Sequence, residues 1–220
     1  MKSFKQHLAE RTVDAYHVVS ALSLGEFDNF EEFERYLLNN YEMETLGSGN
    51  FSYARSTTGG KDFVLKVSRS PLSYKEDAWW DFAKLARKNS GRNSLYPKIP
   101  YIGELPRFEG DEHRIGVAII ERLSIWARTP TVTNFSSSMI ESLFARAFRY
   151  TSGPTPERLK LLMEHFEIVN NKIITVDLEE VIDFSKGLNS VSSALDLHDE
   201  NFGLRADGSL VILDPLSWKD

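Results

Sequence analysis

Between Val191 and Asp214 the chain switches between apolar and polar stretches in a way few folds can accommodate. A polar cluster, Asp196-Leu197-His198-Asp199-Glu200-Asn201, is set between the apolar stretches 191–197 and 202–204, and the run Leu210-Val211-Ile212-Leu213 then leads directly into Asp214. A buried strand ending on a carboxylate is costly unless something compensates the charge. Asn201, thirteen residues earlier, offers a second oxygen, and a divalent cation shared by the two would compensate. Asp196, five residues before Asn201, adds a further carboxylate to the cluster. The plain alternative is a polar loop capping a helix, where Asp, Asn and Glu commonly collect. The apolar flanks and the delivery of Asp214 by a buried run favour the site. His198 reads as a hydrogen-bonding residue of this loop or of a phosphate oxygen. A zinc triad is disfavoured, since the chain has no cysteine and His113 and His165 stand in unrelated contexts.

The front half supplies features that suit phosphate. Leu46-Gly47-Ser48-Gly49-Asn50-Phe51-Ser52 is a small glycine loop, and Phe63-Val64-Leu65-Lys66-Val67 is a strand pattern with one lysine among apolar neighbours. A lone Gly-x-Gly marks turns everywhere and is weak by itself. Lys66 is more telling, because an ammonium in such a strand must reach a partner or water. An ordinary snorkelling lysine on an exposed strand face is the bland reading. Its position nineteen residues after Gly47 favours a grip on phosphates instead. Phosphoryl transfer asks little covalent chemistry of a protein: metal ions on the phosphate oxygens, a carboxylate beside the acceptor and a cation on the phosphates.

The surrounding pattern predicts an α+β chain. Helices are expected over 4–22 and 30–41, the second from Phe30, Phe33, Leu37 and Tyr41 with Asp28 and Glu31 as a capping box. Strands are expected over 42–46, 51–56, 63–67, 101–106 and 115–122, with a helix over 72–87 between the third and fourth. Further helices are expected over 157–169 and 177–193. The expected division is an N-terminal helical extension at 1–41, a small lobe at 42–123 and a reduced, mainly helical lobe at 124–220. With 41% apolar and 26% charged residues the chain is of ordinary globular composition, and disorder is disfavoured. The net charge of -6 argues against non-specific binding to nucleic acid or anionic membrane. The absence of cysteine fits a reducing compartment. With no apolar run near about 18 residues and no signal-peptide core at the N-terminus, a cytoplasmic protein is expected.

Taken in order, Gly47-x-Gly49-x-Phe51, Lys66, Asp196-x-x-x-x-Asn201 and Asp214 resemble the glycine loop, strand lysine, catalytic-loop Asp and Asn, and metal-binding Asp of the protein-kinase-like fold. The Leu-Gly-x-Gly-x-Phe-Ser loop, the Asp-x-His-x-x-Asn loop and the Asp214-Pro215-Leu216-Ser217 ending are similar to those of the early serine/threonine protein kinases of T7-like bacteriophages. That resemblance spans roughly 42–220. It implies a bilobal fold, ATP and magnesium as cofactors, and host proteins as substrates and partners. It also implies Asp196 as base, Asn201 and Asp214 as magnesium ligands, and Lys66 with residues 47–52 on the phosphates. The strand ending at Glu121-Arg122-Leu123 would read adenine through the backbone of Glu121 and Leu123.

Departures from the ordinary protein-kinase pattern matter as much. Ser52 replaces the third glycine, Ala194-Leu195 replaces the His-Arg before the catalytic Asp, and Asp214-Pro215-Leu216 replaces Asp-Phe-Gly. Six residues follow Asp214, so activation-loop control is not expected, and substrate docking falls to the N-terminal helices or residues 125–170. Either Glu76, by side-chain length, or Asp81, by its place beside the apolar stripe, would pair with Lys66. Asp-Leu-His-x-x-Asn is also similar to the aminoglycoside and choline kinase type of small-molecule phosphotransferase, which stays open, as does a pseudokinase that binds a host factor. Ser217, three residues beyond Asp214, is a candidate autophosphorylation site, where about -1.5 to -2 added charges would depress activity.

Overall fold

The structure is a computed structural model and describes residues 30–40, 43–48, 52–57, 63–68, 78–104, 116–125, 144–145, 147, 177–191 and 195–216. The expected helices at 4–22 and 157–169, together with Asp28, Gly49, Asn50, Phe51, Glu76 and Ser217, lie outside the described residues. The chain clusters into two compact units, 1–77 with 99–122, and 78–98 with 123–220.

The first unit holds helix α1 (Phe30–Asn40) and strands β1 (Met43–Ser48), β2 (Ser52–Thr57), β3 (Phe63–Ser68), β4 (Tyr101–Glu104) and β5 (Gly116–Glu121). The strands form one antiparallel sheet in the order β1-β2-β3-β5-β4. Strand β5, Gly-Val-Ala-Ile-Ile-Glu, is buried along its whole length. An unbroken apolar run of this kind belongs to a strand covered on both faces, whereas a half-solvated strand would alternate. Helix α1 turns Phe33 and Leu37 fully inward, one turn apart, and Glu34 on the same helix lies 3.5 Å from the Arg55 guanidinium of β2.

The second unit holds helix α2 (Trp79–Asn89), helix α3 (Leu178–Asn189) and a three-stranded antiparallel sheet of β6 (Ser124–Ile125), β7 (Phe202–Leu204) and β8 (Leu210–Ile212). Asp177 caps α3 by accepting from the N–H groups of Glu179 and Glu180. The aromatic core gathers Phe82 of α2, Tyr96, Phe144 and Phe184 of α3, with the Tyr96 and Phe184 rings 4.5 Å apart. Gly187 makes that core possible, because a Cβ there would run into the Tyr96 hydroxyl.

Helix α2 and the segment after it, which the sequence pattern places with the small lobe, cluster instead with the C-terminal residues. The reason is a set of specific bonds rather than periodicity. Asn93 donates to the Glu180 carbonyl at 2.7 Å, Ser94 donates through both its N–H and its hydroxyl to the Glu180 carboxylate, and Ile212 N–H donates to Leu95 O at 2.9 Å. Arg205 closes the latch by donating to the carbonyls of Ser94 and Tyr96.

Candidate active site

In the first unit strand register places the residues. Gly47 pairs with Ala54, Ala54 with Lys66, Lys66 with Ala118, and Ala118 with Ile102, so these five share one cross-strand row and one face. Gly47 and Lys66 are two strands apart, about 9–10 Å by the ordinary strand spacing. Between Thr45 and Gly47 the register shifts by a bulge, which bends β1 where it enters the glycine loop. That bulge sits at Leu46-Gly47, where the apolar-polar pattern carries no trace of it.

Lys66 sits on a strand face that is covered rather than open. Its neighbours on the same face, Val64 and Ser68, are buried, and so are Leu65 and Val67 on the other face, while Lys66 itself stays partly exposed. It is therefore a cation set into a covered strand, flanked across the sheet by the short side chains of Ala54 and Ala118. Ser68 closes the strand by accepting from Gly116 N–H at 2.7 Å. Ser48 and Ser52 are the last and first residues of β1 and β2, on either side of the loop. Glu121 ends β5 as a buried residue, and the chain passes from the first unit to the second between Arg122 and Leu123.

In the second unit Asp196, Asn201 and Asp214 are linked by a few hydrogen bonds to main-chain oxygens. Residues Asp199–Asn201 form one 3-10 turn, closed by Asn201 N–H donating to the His198 carbonyl at 2.9 Å. Asn201 is buried, and its side-chain nitrogen donates to the Asp196 carbonyl at 2.7 Å. With the nitrogen so engaged, the amide oxygen is the atom left for a cation. Leu213 N–H donates to Asn201 O at 2.8 Å, and Asp196 N–H donates to Pro215 O at 2.8 Å. A bridge between Leu195 and Leu216 extends this pairing by one residue on each side. Asp196 and Asp214 are thereby tied, through their neighbours, to each other and to Asn201. Asp196 and His198 are exposed, and Asp214 is half-buried at the end of a strand whose residues 210–212 are buried.

The hairpin that carries this geometry is itself well specified. Gly208 adopts φ 86°, a conformation open to glycine at little cost, and completes an Asp207-Gly208 turn. The side-chain hydroxyl and then the N–H of Ser209 bond the Asp207 carboxylate and hold it below the usual carboxylate range. At the other side of the sheet Leu123 packs over Gly203, where a Cβ would sit 2.9 Å from the Leu123 Cβ.

The donor set suits magnesium rather than a structural metal. Asn201 and Asp214 offer hard oxygens and too few of them to enclose an ion, and magnesium is commonly held by one or two carboxylates with phosphate oxygens and water completing the shell. Among the described residues no group of three or more His, Cys, Asp or Glu side chains is arranged to hold a metal without such help. For the partner of Lys66, Asp81 lies 3.5 Å from Lys84, one turn along its own helix, and Glu76 lies outside the described residues. Three contributing residues are singled out by no sequence motif. Trp79 donates its indole N–H to Leu213 O at 3.0 Å. Arg205 and Glu180 form the latch described above.

No protein-family model matches the chain, and a search of curated proteins finds no match. Among solved structures, the chain is similar to the GDP and kanamycin complex of APH(2")-IIia, at 12% identity and a TM-score of 0.37, over 83% of this chain and 72% of that one. It is also similar to amicoumacin kinase hAmiN in complex with AMP-PNP, Ca2+ and Ami, at 15% identity and a TM-score of 0.39, over 96% of this chain and 66% of that one. The described residues are α+β, with the glycine loop between the first two strands, the lysine on the third, a helix before the fourth and the Asn/Asp hairpin in the second unit. No helix among the described residues is long and apolar enough to cross a membrane.

Proposed function

We propose that this chain is a nucleotide-dependent phosphotransferase that moves the γ-phosphoryl group of ATP to a hydroxyl of a small molecule. The observation that carries the reading is the tie between Asp196, Asn201 and Asp214: a base and two metal ligands held by Asn201 Nδ2 to Asp196 O, Leu213 N to Asn201 O and Asp196 N to Pro215 O. Asp196 orients the acceptor hydroxyl and takes its proton as the new oxygen–phosphorus bond forms and the bond to the leaving ADP breaks. Lys66 and the Gly47–Ser52 loop bear on the phosphates, and the backbone at Glu121 and Leu123 reads adenine. Asn201 and Asp214 would hold magnesium, which when bound neutralises charge on the phosphate oxygens.

A small-molecule acceptor is favoured over a protein by what the motifs lack. The His-Arg and Phe-Gly elements that distinguish ordinary protein kinases are absent around Asp196 and Asp214, whereas Asp-Leu-His-x-x-Asn is shared with small-molecule kinases. A second reading, a serine/threonine kinase encoded by a phage and acting on host proteins in the cytoplasm, is supported by the Leu-Gly-x-Gly-x-Phe-Ser loop and the Asp-Pro-x-Ser ending. Autophosphorylation at Ser217 belongs to that second reading.

The test is transfer of label from γ-labelled ATP, with magnesium, to a panel of amino sugars and amino alcohols in one arm and to a bacterial lysate in the other. Labelled small molecules that disappear with Asp196→Ala support the proposal. Labelled proteins with no labelled small molecule move the assignment to the second reading. No label in either arm leaves the chain a binding module and ends the phosphotransferase reading.

A further inference from the structure

Resting on that reading of Asp214, we infer that Trp79 is a positioning residue for the metal-binding carboxylate. The carbonyl of Leu213 belongs to the peptide unit that joins Leu213 to Asp214. Its N–H partner within the same residue is already engaged, donating to Asn201 O at 2.8 Å. Trp79 Nε1 donates to that carbonyl at 3.0 Å from a residue 134 positions earlier in the chain, the first of α2. The two peptide planes that flank Leu213 are thus each held by a hydrogen bond, the one before it through Leu213 N–H and the one that leads into Asp214 through the carbonyl bound by Trp79. On the other side Pro215 confines Asp214 to extended ψ, because the proline ring clashes with a helical preceding residue. The Pro215 carbonyl is in turn held by Asp196 N–H.

Asp214 therefore follows a peptide plane anchored by the indole and has its own ψ confined by the proline. A carboxylate on a fixed backbone spends less conformational freedom in meeting a cation than one on a mobile chain end. Trp79 is well suited to this task. Its side chain is 2% exposed, so its N–H has no water to turn to, and its ring is fixed edge-on against Trp80 with centroids 4.8 Å apart. A tryptophan serving only as core would need its six-membered ring, and Phe would replace much of that bulk. The positioning role needs the N–H.

The experiment measures Mn2+ binding in the presence of AMP-PNP by electron paramagnetic resonance, alongside thermal unfolding, for wild type, Trp79→Phe and Trp80→Phe. Trp79→Phe should weaken Mn2+ binding about three- to tenfold, the range for one lost hydrogen bond, with AMP-PNP affinity in the absence of metal unchanged. Trp80→Phe should lower the unfolding temperature while leaving Mn2+ binding within twofold. A folded Trp79→Phe that binds Mn2+ within twofold of wild type, or a Trp80→Phe that weakens it equally, overturns the inference and leaves the phosphotransferase reading standing. A wild-type chain that binds no Mn2+ with AMP-PNP overturns both. Should Trp79→Phe fail to fold, exchange of the Trp79 indole proton in wild type decides, assigned after replacing Trp80, Trp126 and Trp218 by Phe. Magnesium with AMP-PNP should slow that exchange at least fivefold, and an unchanged rate overturns the inference.

Discussion

Lys66 and Asp214 are both charged groups at apolar strands, yet the molecule places them by different means. Lys66 occupies the middle of a five-stranded ladder, where its neighbours Ala54 and Ala118 follow from register alone. Asp214 lies just past a three-residue strand, and its place depends on individual bonds from Asn201, Asp196 and Trp79. A ladder spreads the positioning over many equivalent bonds, so no single side chain decides it. A loop pair concentrates positioning in a few bonds, so single residues matter far more there. The expected consequence is that substitutions near Asp214 reach the chemistry, while those around the sheet act mainly on nucleotide affinity or stability.

The largest effects should separate the two regions by function. Asp196→Ala should reduce transfer at least about a hundredfold, the scale for loss of a positioned base, with nucleotide affinity within about twofold. Lys66→Met should instead weaken nucleotide binding, roughly tenfold or more for a lost charge-assisted contact. Steady-state kinetics with nucleotide titration measures both, and the contrast breaks if Asp196→Ala loses affinity and Lys66→Met does not.

Next in size is Gly203→Ala. The added Cβ meets the fixed base of Leu123 rather than a free side-chain end, so stability should fall by about 1–3 kcal/mol, as for an overpacked core. Urea denaturation reads this directly. A change below about 0.5 kcal/mol would mean that β6 yields easily and that the small sheet is less concentrated in its demands than argued.

Smaller again is an alkaline effect at Tyr96. Burial first, and the nearby Asp183 carboxylate second, push the Tyr96 hydroxyl well above the usual tyrosine value. The unfolded chain ionises this group near pH 10 while the folded chain keeps it protonated. Its contribution is therefore fully present below about pH 10 and is lost as pH rises from there toward the folded value. Denaturation at pH 9 and pH 11 should show that loss in wild type and a shallower one in Tyr96→Phe. Smallest should be Glu34→Gln, which removes one partly exposed ion pair on the sheet side, worth about 1 kcal/mol or less, and leaves transfer unchanged.

Much of this architecture is legible in residue pattern. The spacing of Phe30, Phe33 and Leu37 predicts a helix over 30–41, and α1 runs Phe30–Asn40. The strands around the glycine loop, Lys66 and the run to Glu121 fall within two residues of expectation at each described end. Strand β6 is two residues long and β7 three, too short for any alternation to register, and Phe202-Gly203-Leu204 reads only as an apolar stretch. The bulge at Leu46-Gly47 escapes because an extra residue in one strand changes pairing without changing composition.

The candidate residues divide along the same line. Strand and helix periods of two and about 3.6 are imposed by backbone geometry, so the order of elements, the apolar strand around Lys66 and the polar break before Asp214 are present in the sequence by itself. That Asn201 turns its amide nitrogen to the Asp196 carbonyl, that α2 joins the C-terminal residues, and that Trp79 reaches the peptide before Asp214 were decided only by the tertiary structure. These bonds join residues up to 134 positions apart, and their partners are selected by packing that no local period encodes.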